Sequence, residues 1–481
     1  MWPKFVSFLF VAVLFAGPGV KPSNGQQPEA SKKRHLRYKL VDLGTFGGQF
    51  SLIPFAQRDL NKAGATVGMA ETGIPDPFSP ACLSPSCAVQ HAFLWRDGAM
   101  IELFGFIPNL ESGAQAINEA GIVVGESQNG LTDPESGGGV IHAVLWNKGH
   151  LLDLGTLGGT SSGALSINGR AQVVGWSQTT IPDPTSGLSQ THAFLWENGV
   201  MRDLGTLGGP FSFGTDVNDR GQAAGVSLTV PEPQTGESIQ HAFIWDRGHM
   251  TDLSLGGSFA DGATLNNRGQ AIGHSLLPGD LEDHAFLWDG GQTFDLGTLG
   301  GTFSLPTGLN EKGTVSGVAT SKNQVLHAVL WRNREIIDLA TIPGCSWSWG
   351  LNSAEQVVGT VLPNPCDFSN QRAFLWEDGE MIDLNSLVFP ASDFKLVYAT
   401  GINDAGEIVG AGVPAGVSSA DVDTLGHAFV LIPIRDDAVS ASVGAAAFSP
   451  GEIAVSLAPA EVRKITERIV AKIRAERNRK Y

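Results

Sequence analysis

The sequence predicts an all-β protein, an eight-bladed β-propeller of four-stranded blades, and three observations carry that prediction. Blocks like Thr191-His-Ala-Phe-Leu-Trp-Glu-Asn-Gly-Val-Met-Arg-Asp-Leu-Gly-Thr-Leu-Gly-Gly209 recur from roughly residue 38 to 433. Sixty-one glycines, 26 prolines and only 16% charged residues among 481 suit short strands and tight turns better than helices or disorder. The segment His-Ala-Phe-Leu-Trp has no polar face, so its strand must be covered on both sides, as it would be between neighbouring sheets of a ring.

Each repeat divides into four strand-length parts: S-x-A-x-x-I-N, Q-V-V-G-x-S, H-A-F-L-W and x-M-x-D-L-G. The first ends on Asn in every copy (Asn61, Asn118, Asn168, Asn218, Asn266, Asn310, Asn352, Asn403), at spacings of 42 to 57. Six of these have Gly three residues on, which predicts a tight turn between antiparallel strands. Ala171 and Glu355 take that place in the other two. The second part carries a fixed glycine (Gly68, Gly125, Gly175, Gly225, Gly273, Gly317, Gly359, Gly410), which predicts a bulge or close backbone approach. Between the third and fourth parts, Asn198-Gly199 predicts a hairpin that sets Trp196 opposite Met201 and Phe194 opposite Asp203. His192 then lies diagonal to Asp203.

The array begins with a lone fourth strand, Tyr38 to Gly44, and ends with a lone third, His427 to Leu431. Joining them completes an eighth blade and removes the open sheet edges. Residues 1–25 are expected to be a signal peptide, because Lys4 precedes an apolar run, Phe5 to Gly17, too short for a membrane span. No clear A-x-A site marks the cut, which leaves an uncleaved anchor as the alternative. Residues 26–37 read as a linker. In 434–481 a second linker leads to an amphipathic basic helix with Ile465, Ile469, Val470 and Ile473 on one stripe.

Export would permit disulfides, and local pairing joins Cys82 to Cys87 and Cys345 to Cys366, one of three connectivities. The net charge of −17 argues against nucleic acid as a partner, and leaves membrane contact to the C-terminal helix alone.

The His-Ala-Phe-Leu-Trp and Asp-Leu-Gly-Thr-Leu-Gly-Gly blocks, with Ile-Asn and Val-Val-Gly between them, resemble the HAF-repeat extracellular proteins over about four fifths of the chain. The resemblance implies an exported bacterial repeat protein and no particular enzymatic activity. Repeat one departs with Glu102-Leu-Phe-Gly-Phe106, repeat seven with Arg372, and repeat eight with Leu431 in place of Trp.

Seven histidines open third strands, but equivalent atoms of neighbouring blades should lie ~10 Å or more apart, so no metal joins them. Each is expected to pair with its own blade's aspartate, and the repeated tryptophans are expected in the core. The second-to-third-strand loops vary most, so ligand contacts are sought on their face. Candidates there are Glu126, Trp176, His274, Trp347 and Trp349, the tryptophans as exposed stacking platforms. Ile74-Pro-Asp-Pro77 and its relatives offer one carboxylate per loop, too few for calcium. No cofactor is expected. The leading expectation is a non-enzymatic scaffold binding protein or carbohydrate. A carbohydrate-active hydrolase or lyase at the mouth of the central channel is the alternative, and an inert structural cell-surface protein a third.

Overall fold

Repeat three shows how the pattern becomes structure. Gly158–Ile167, Val173–Pro182, Ser189–Glu197 and Val200–Asp203 pair antiparallel in sequence order. Trp196 lies opposite Met201 and Phe194 opposite Asp203. Asn198 and Gly199 turn the hairpin with φ of 53° and 85°, the positive pair that a two-residue type I′ turn requires. Residues 192–196 are all buried, so both faces of that strand are covered.

This computed structural model describes residues 35–435, except 55–57, 79–85, 231–238, 342 and 364–365. The signal peptide, the C-terminal helix and Cys82 lie outside the described residues. The chain is an all-β protein with a β-propeller architecture, and its one described α-helix is the four-residue Val422–Leu425. Among the described residues, four of its sheets have four strands. Two have eight, each composed of two four-stranded units joined by a single parallel bridge, Thr191 to Phe211 or Asp283 to Phe303.

Within a repeat, the second-strand glycine is dictated by its partner strand. In all eight copies an added Cβ would collide with a first-strand carbonyl oxygen, for example Gly175 with Gly163 and Gly225 with Phe213. In repeats two to eight the collision lies beside a register shift of the first strand, so the glycine accommodates a bulge.

Between repeats, the first-strand serine ties neighbours together. The amide of Ala143 donates to Ser162 Oγ, Ala193 to Ser212, Ala285 to Ser304 and Ala328 to Ser346. At the chain ends Ala428 donates to Ser51, and Arg37–Asp42 pairs antiparallel with His427–Ile434.

The asparagines make a second connection. Each Oδ1 accepts two backbone amides of its own turn, as Asn218 does from Arg220 and Gln222. Each Nδ2 donates to the backbone carbonyl of the next asparagine, from Asn61 to Asn118, Asn168, Asn218, Asn266, Asn310, Asn352 and Asn403 in turn. Asn403 then donates to Asn61 at 3.0 Å. Ala171 and Glu355 keep the same turn in the left-handed region, with φ of 58° and 63°.

Cys345 and Cys366 form a disulfide, as the spacing predicts. Cys87 is also disulfide-bonded. No helix among the described residues is long and apolar enough to cross a membrane.

Candidate functional site

The two ends of the molecule differ. The asparagine turns and third-to-fourth-strand hairpins share one end, and the long loops share the other. At the asparagine end Arg58, from repeat one, forms an ion pair at 3.0 Å with Asp216 of repeat four and donates to the Val217 carbonyl. These repeats are not neighbours, so Arg58 crosses the space between the first strands. Asp216 also accepts from Ser166 and from the Leu265 amide, which joins repeats three and five to the same knot.

The third-strand histidines are held within their own repeats. His142 meets Asp153 at 3.0 Å, His192 meets Asp203 at 2.9 Å and His241 meets Asp252 at 2.6 Å. His284 and Asp295, and His327 and Asp338, follow the rule, while His427 reaches Asp42 at the other end of the chain. The departures from the sequence pattern preserve the chemistry: His91 pairs with Glu102, and Arg372 with Asp383 at 3.4 Å. Burial opposes ionisation of Asp203, Asp252 and Asp295, yet the histidine and backbone N–H donors hold all three below the usual carboxylate range. The Asp295 hydrogen bond raises His284 against the opposing effect of burial. These groups are engaged in structure and offer no free acid or base.

The residues after the second-strand glycines reach the inner edge of the next repeat. An added Cβ at Gly113 would lie 3.2 Å from Met69 Cε and 3.7 Å from Glu126 Oε1. One at Gly163 would lie 2.6 Å from Trp176 Nε1 and 3.0 Å from Glu126 Oε2. Two consecutive glycines on the first strands thus leave room for a half-buried carboxylate and an indole N–H to approach one point. Trp176 is buried, its Nε1 has no hydrogen-bond partner, and its ring meets Phe213 edge-on at 6.5 Å. Phe213 and Asp261 occupy the position equivalent to Gly163 in repeats four and five, and both are half-buried.

Four predicted contacts need correction. Trp176 and Trp347 are only 8% and 6% exposed, so neither is a surface stacking platform. Trp347 and the half-buried Trp349 meet edge-on at 5.8 Å and pack around the Cys345–Cys366 bridge. His274 is 2% exposed and bonds Asp283 at 2.8 Å, with Asp261 4.0 Å from its other ring nitrogen. It can orient Asp261 but cannot meet a ligand. Glu126 alone of the five presents a polar group at the inner edge without being fully buried.

A second acidic group lies between repeats one and two. Glu111 precedes the first-strand serine, where other repeats have Phe50, Ser161, Phe211, Phe259, Phe303 or Cys345. Burial, with Asp76, Glu126 and Glu71 as neighbouring negative charges, pushes it up to about 8 despite the Gln90 amide bonded to Oε2. Glu111, Asp261 and Phe213 escape sequence reasoning because none belongs to a motif. Aligning the eight repeats position by position would have exposed Glu111 as a lone acid in a mostly apolar column. Among the described residues no three His, Cys, Asp or Glu side chains converge to hold a metal.

No family model and no curated protein matches the chain. Several solved structures are similar to it. They include the β-propeller domain of the Trilobed protease from Pyrococcus furiosus, at 12% identity and TM-score 0.41, over 72% of this chain and 98% of that one. A puromycin-hydrolyzing peptidase of Mycobacterium tuberculosis matches at 12% identity and TM-score 0.39, over 77% of this chain and 62% of that one. Dipeptidyl peptidase 4 of Porphyromonas gingivalis matches at 8% and 0.43, over 73% and 56%. The chain thus spans less than two thirds of the last two. All three carry the name of a protease or peptidase, against the expectation of a non-enzymatic scaffold.

Proposed function

We propose that this chain is a carbohydrate-active hydrolase or lyase, with Glu126 and Asp261 as its reacting carboxylates and the Trp176–Phe213 pair between them. The observation that carries the reading is the convergence of Glu126 Oε2 and the unpartnered Trp176 Nε1 over Gly163. A sugar hydroxyl is both donor and acceptor, and matches that pair. Cleavage of a glycosidic bond uses two carboxyl groups flanking it, one to donate a proton and one to activate water or attack. Phe213 supplies the apolar edge against which a sugar ring packs. His274, fixed by Asp283, keeps Asp261 in position.

The scaffold under this site is proposed to be a closed, eight-bladed ring of HAF-repeat type, exported from the cell. The hydrogen-bond circuit that returns from Asn403 to Asn61, and the pairing of the two terminal strands, support the ring and its count. The Cys345–Cys366 bridge supports an oxidising compartment. The variable loops are then the surface that selects the carbohydrate.

The test is turnover of a panel of oligosaccharides by the purified protein. Glu126→Gln and Asp261→Asn are each expected to lower kcat by a hundredfold or more, on the scale of a lost acid or base. Trp176→Phe should raise KM more than it lowers kcat. Turnover that survives Glu126→Gln unchanged would remove the site from consideration.

A further inference from the structure

A carboxylate normally finds a donor when it is buried, because an unpaired charge away from water is costly. Two carboxylates at the junction of repeats one and two follow this with only one oxygen each: Asp76 Oδ1 accepts the Phe78 amide and Glu111 Oε2 the Gln90 amide. Asp76 and Glu111 are each 4% exposed, and Asp76 Oδ2 and Glu111 Oε1 are both buried without a hydrogen-bond partner. Glu71, 1% exposed, adds a third negative charge nearby, with its own oxygens taken by the Gln49 amide and the Ser86 hydroxyl.

The neighbouring repeats show what usually stands here. In the next junction the equivalent loop aspartate, Asp133, accepts from the Thr160 hydroxyl at the start of the following repeat's first strand. One junction further, Asp183 accepts from Ser186 of its own loop. At the first junction the places corresponding to Thr160 and Ser161 are held by Leu110 and Glu111, so Asp76 lacks the hydroxyl that Asp133 meets, and the next position brings a carboxylate instead of a serine. The two orphaned oxygens do not bond each other, which excludes a shared proton on a short hydrogen bond in this arrangement.

We propose that a calcium-class divalent cation binds between the first and second repeats, bridged by Asp76 Oδ2 and Glu111 Oε1. Calcium accepts six to eight oxygen ligands at about 2.3–2.6 Å, and fills its shell with carbonyls and water where side chains are few. Two carboxylates are therefore enough to place it, and no third acidic side chain has to converge. Magnesium, which demands a smaller and regular octahedron, fits an adaptable loop junction less well. This site is independent of the carbohydrate reading: it lies at the loop-to-strand junction and its occupant is held for structure.

The experiment is thermal unfolding of the full chain, stripped with chelator and titrated with calcium chloride or magnesium chloride, beside calorimetric calcium binding to the same chain. Calcium is expected to bind at one ion per chain and to raise Tm by several degrees, with a smaller response to magnesium. Asp76→Asn and Glu111→Gln should each lose the calcium response. In chelator, Glu111→Gln should be at least as stable as the parent, because the amide keeps the shape of the side chain without having to place a charge away from water. Absence of calcium uptake by the parent, or an undiminished response in both variants, would overturn the proposal.

Discussion

The two ends of this molecule are built from the same repeats and have opposite chemical characters. At the asparagine end every copy contributes one side chain that satisfies its own turn and its neighbour's carbonyl, and Arg58 and Asp216 knot the centre. At the loop end, positions that vary leave buried polar atoms unpartnered, among them Trp176 Nε1, Trp347 Nε1, Asp76 Oδ2 and Glu111 Oε1. Repetition lets the turn asparagines answer one another from copy to copy. A departure from the repeat breaks that answer, and the unanswered groups are where a ligand can bind.

The comparison can be broken most severely at the bulge glycines. Gly225→Ala drives a methyl into the Phe213 carbonyl and should cost about 4 kcal/mol or more, read by denaturant unfolding. Next comes the asparagine circuit. Asn218 makes four hydrogen bonds, two to its own turn, one to Gln222 and one to Asn266. Asn218→Ala should therefore cost about 2–4 kcal/mol by leaving buried partners unmet. Asn266→Ala should cost a similar amount, since its bonding is the same. A loss confined to one of the two would show that the end is not uniform.

The pH dependence sharpens the contrast further. His284 is raised from 6.5, so its contribution is present in full below that value and is lost as pH rises through the folded value. Asp295 is lowered from 3.8, so its contribution is present above that value and is lost as pH falls through the folded value. The pair should help most between about pH 4 and 6.5, the interval between the two reference values. A His284→Asn variant should fall furthest below the parent in Tm inside that interval and approach it on either side. The smallest effect is a gain. Ala171→Gly relieves a left-handed alanine but gives up its methyl's packing against the core, and should stabilise by less than about 1 kcal/mol, read by denaturant unfolding.

How much could be read in advance depends on whether a residue repeats. The second-strand glycine and the turn asparagine recur eight times, and each recurrence tests the same local geometry, so turns, bulges and pairings were legible. The diagonal of His192 and Asp203 followed from the hairpin register alone. The site was legible in Glu126 and Trp176, though not in the burial of Trp176. Trp347 looked like an exposed platform because exposure depends on the adjacent sheet, and the Cys345–Cys366 bridge with Leu362 closes over it. Asp261 and Phe213 could be recognised only once Gly113 and Gly163 were seen to occupy the same level in neighbouring repeats.

The amide circuit has a direction: from Asn61 to Asn352 each side chain donates to the next repeat along the chain, and Asn403 returns to Asn61. A duplicated unit would bring one new donor and one new acceptor, and so enter the series without stranding either. The contact is thus indifferent to the number of copies. What limits that number is the single place where chain order is broken, the strand at Arg37–Asp42 that docks beside His427–Ile434. Such a protein can grow or shrink by whole units during its evolution, provided the two terminal strands still find each other.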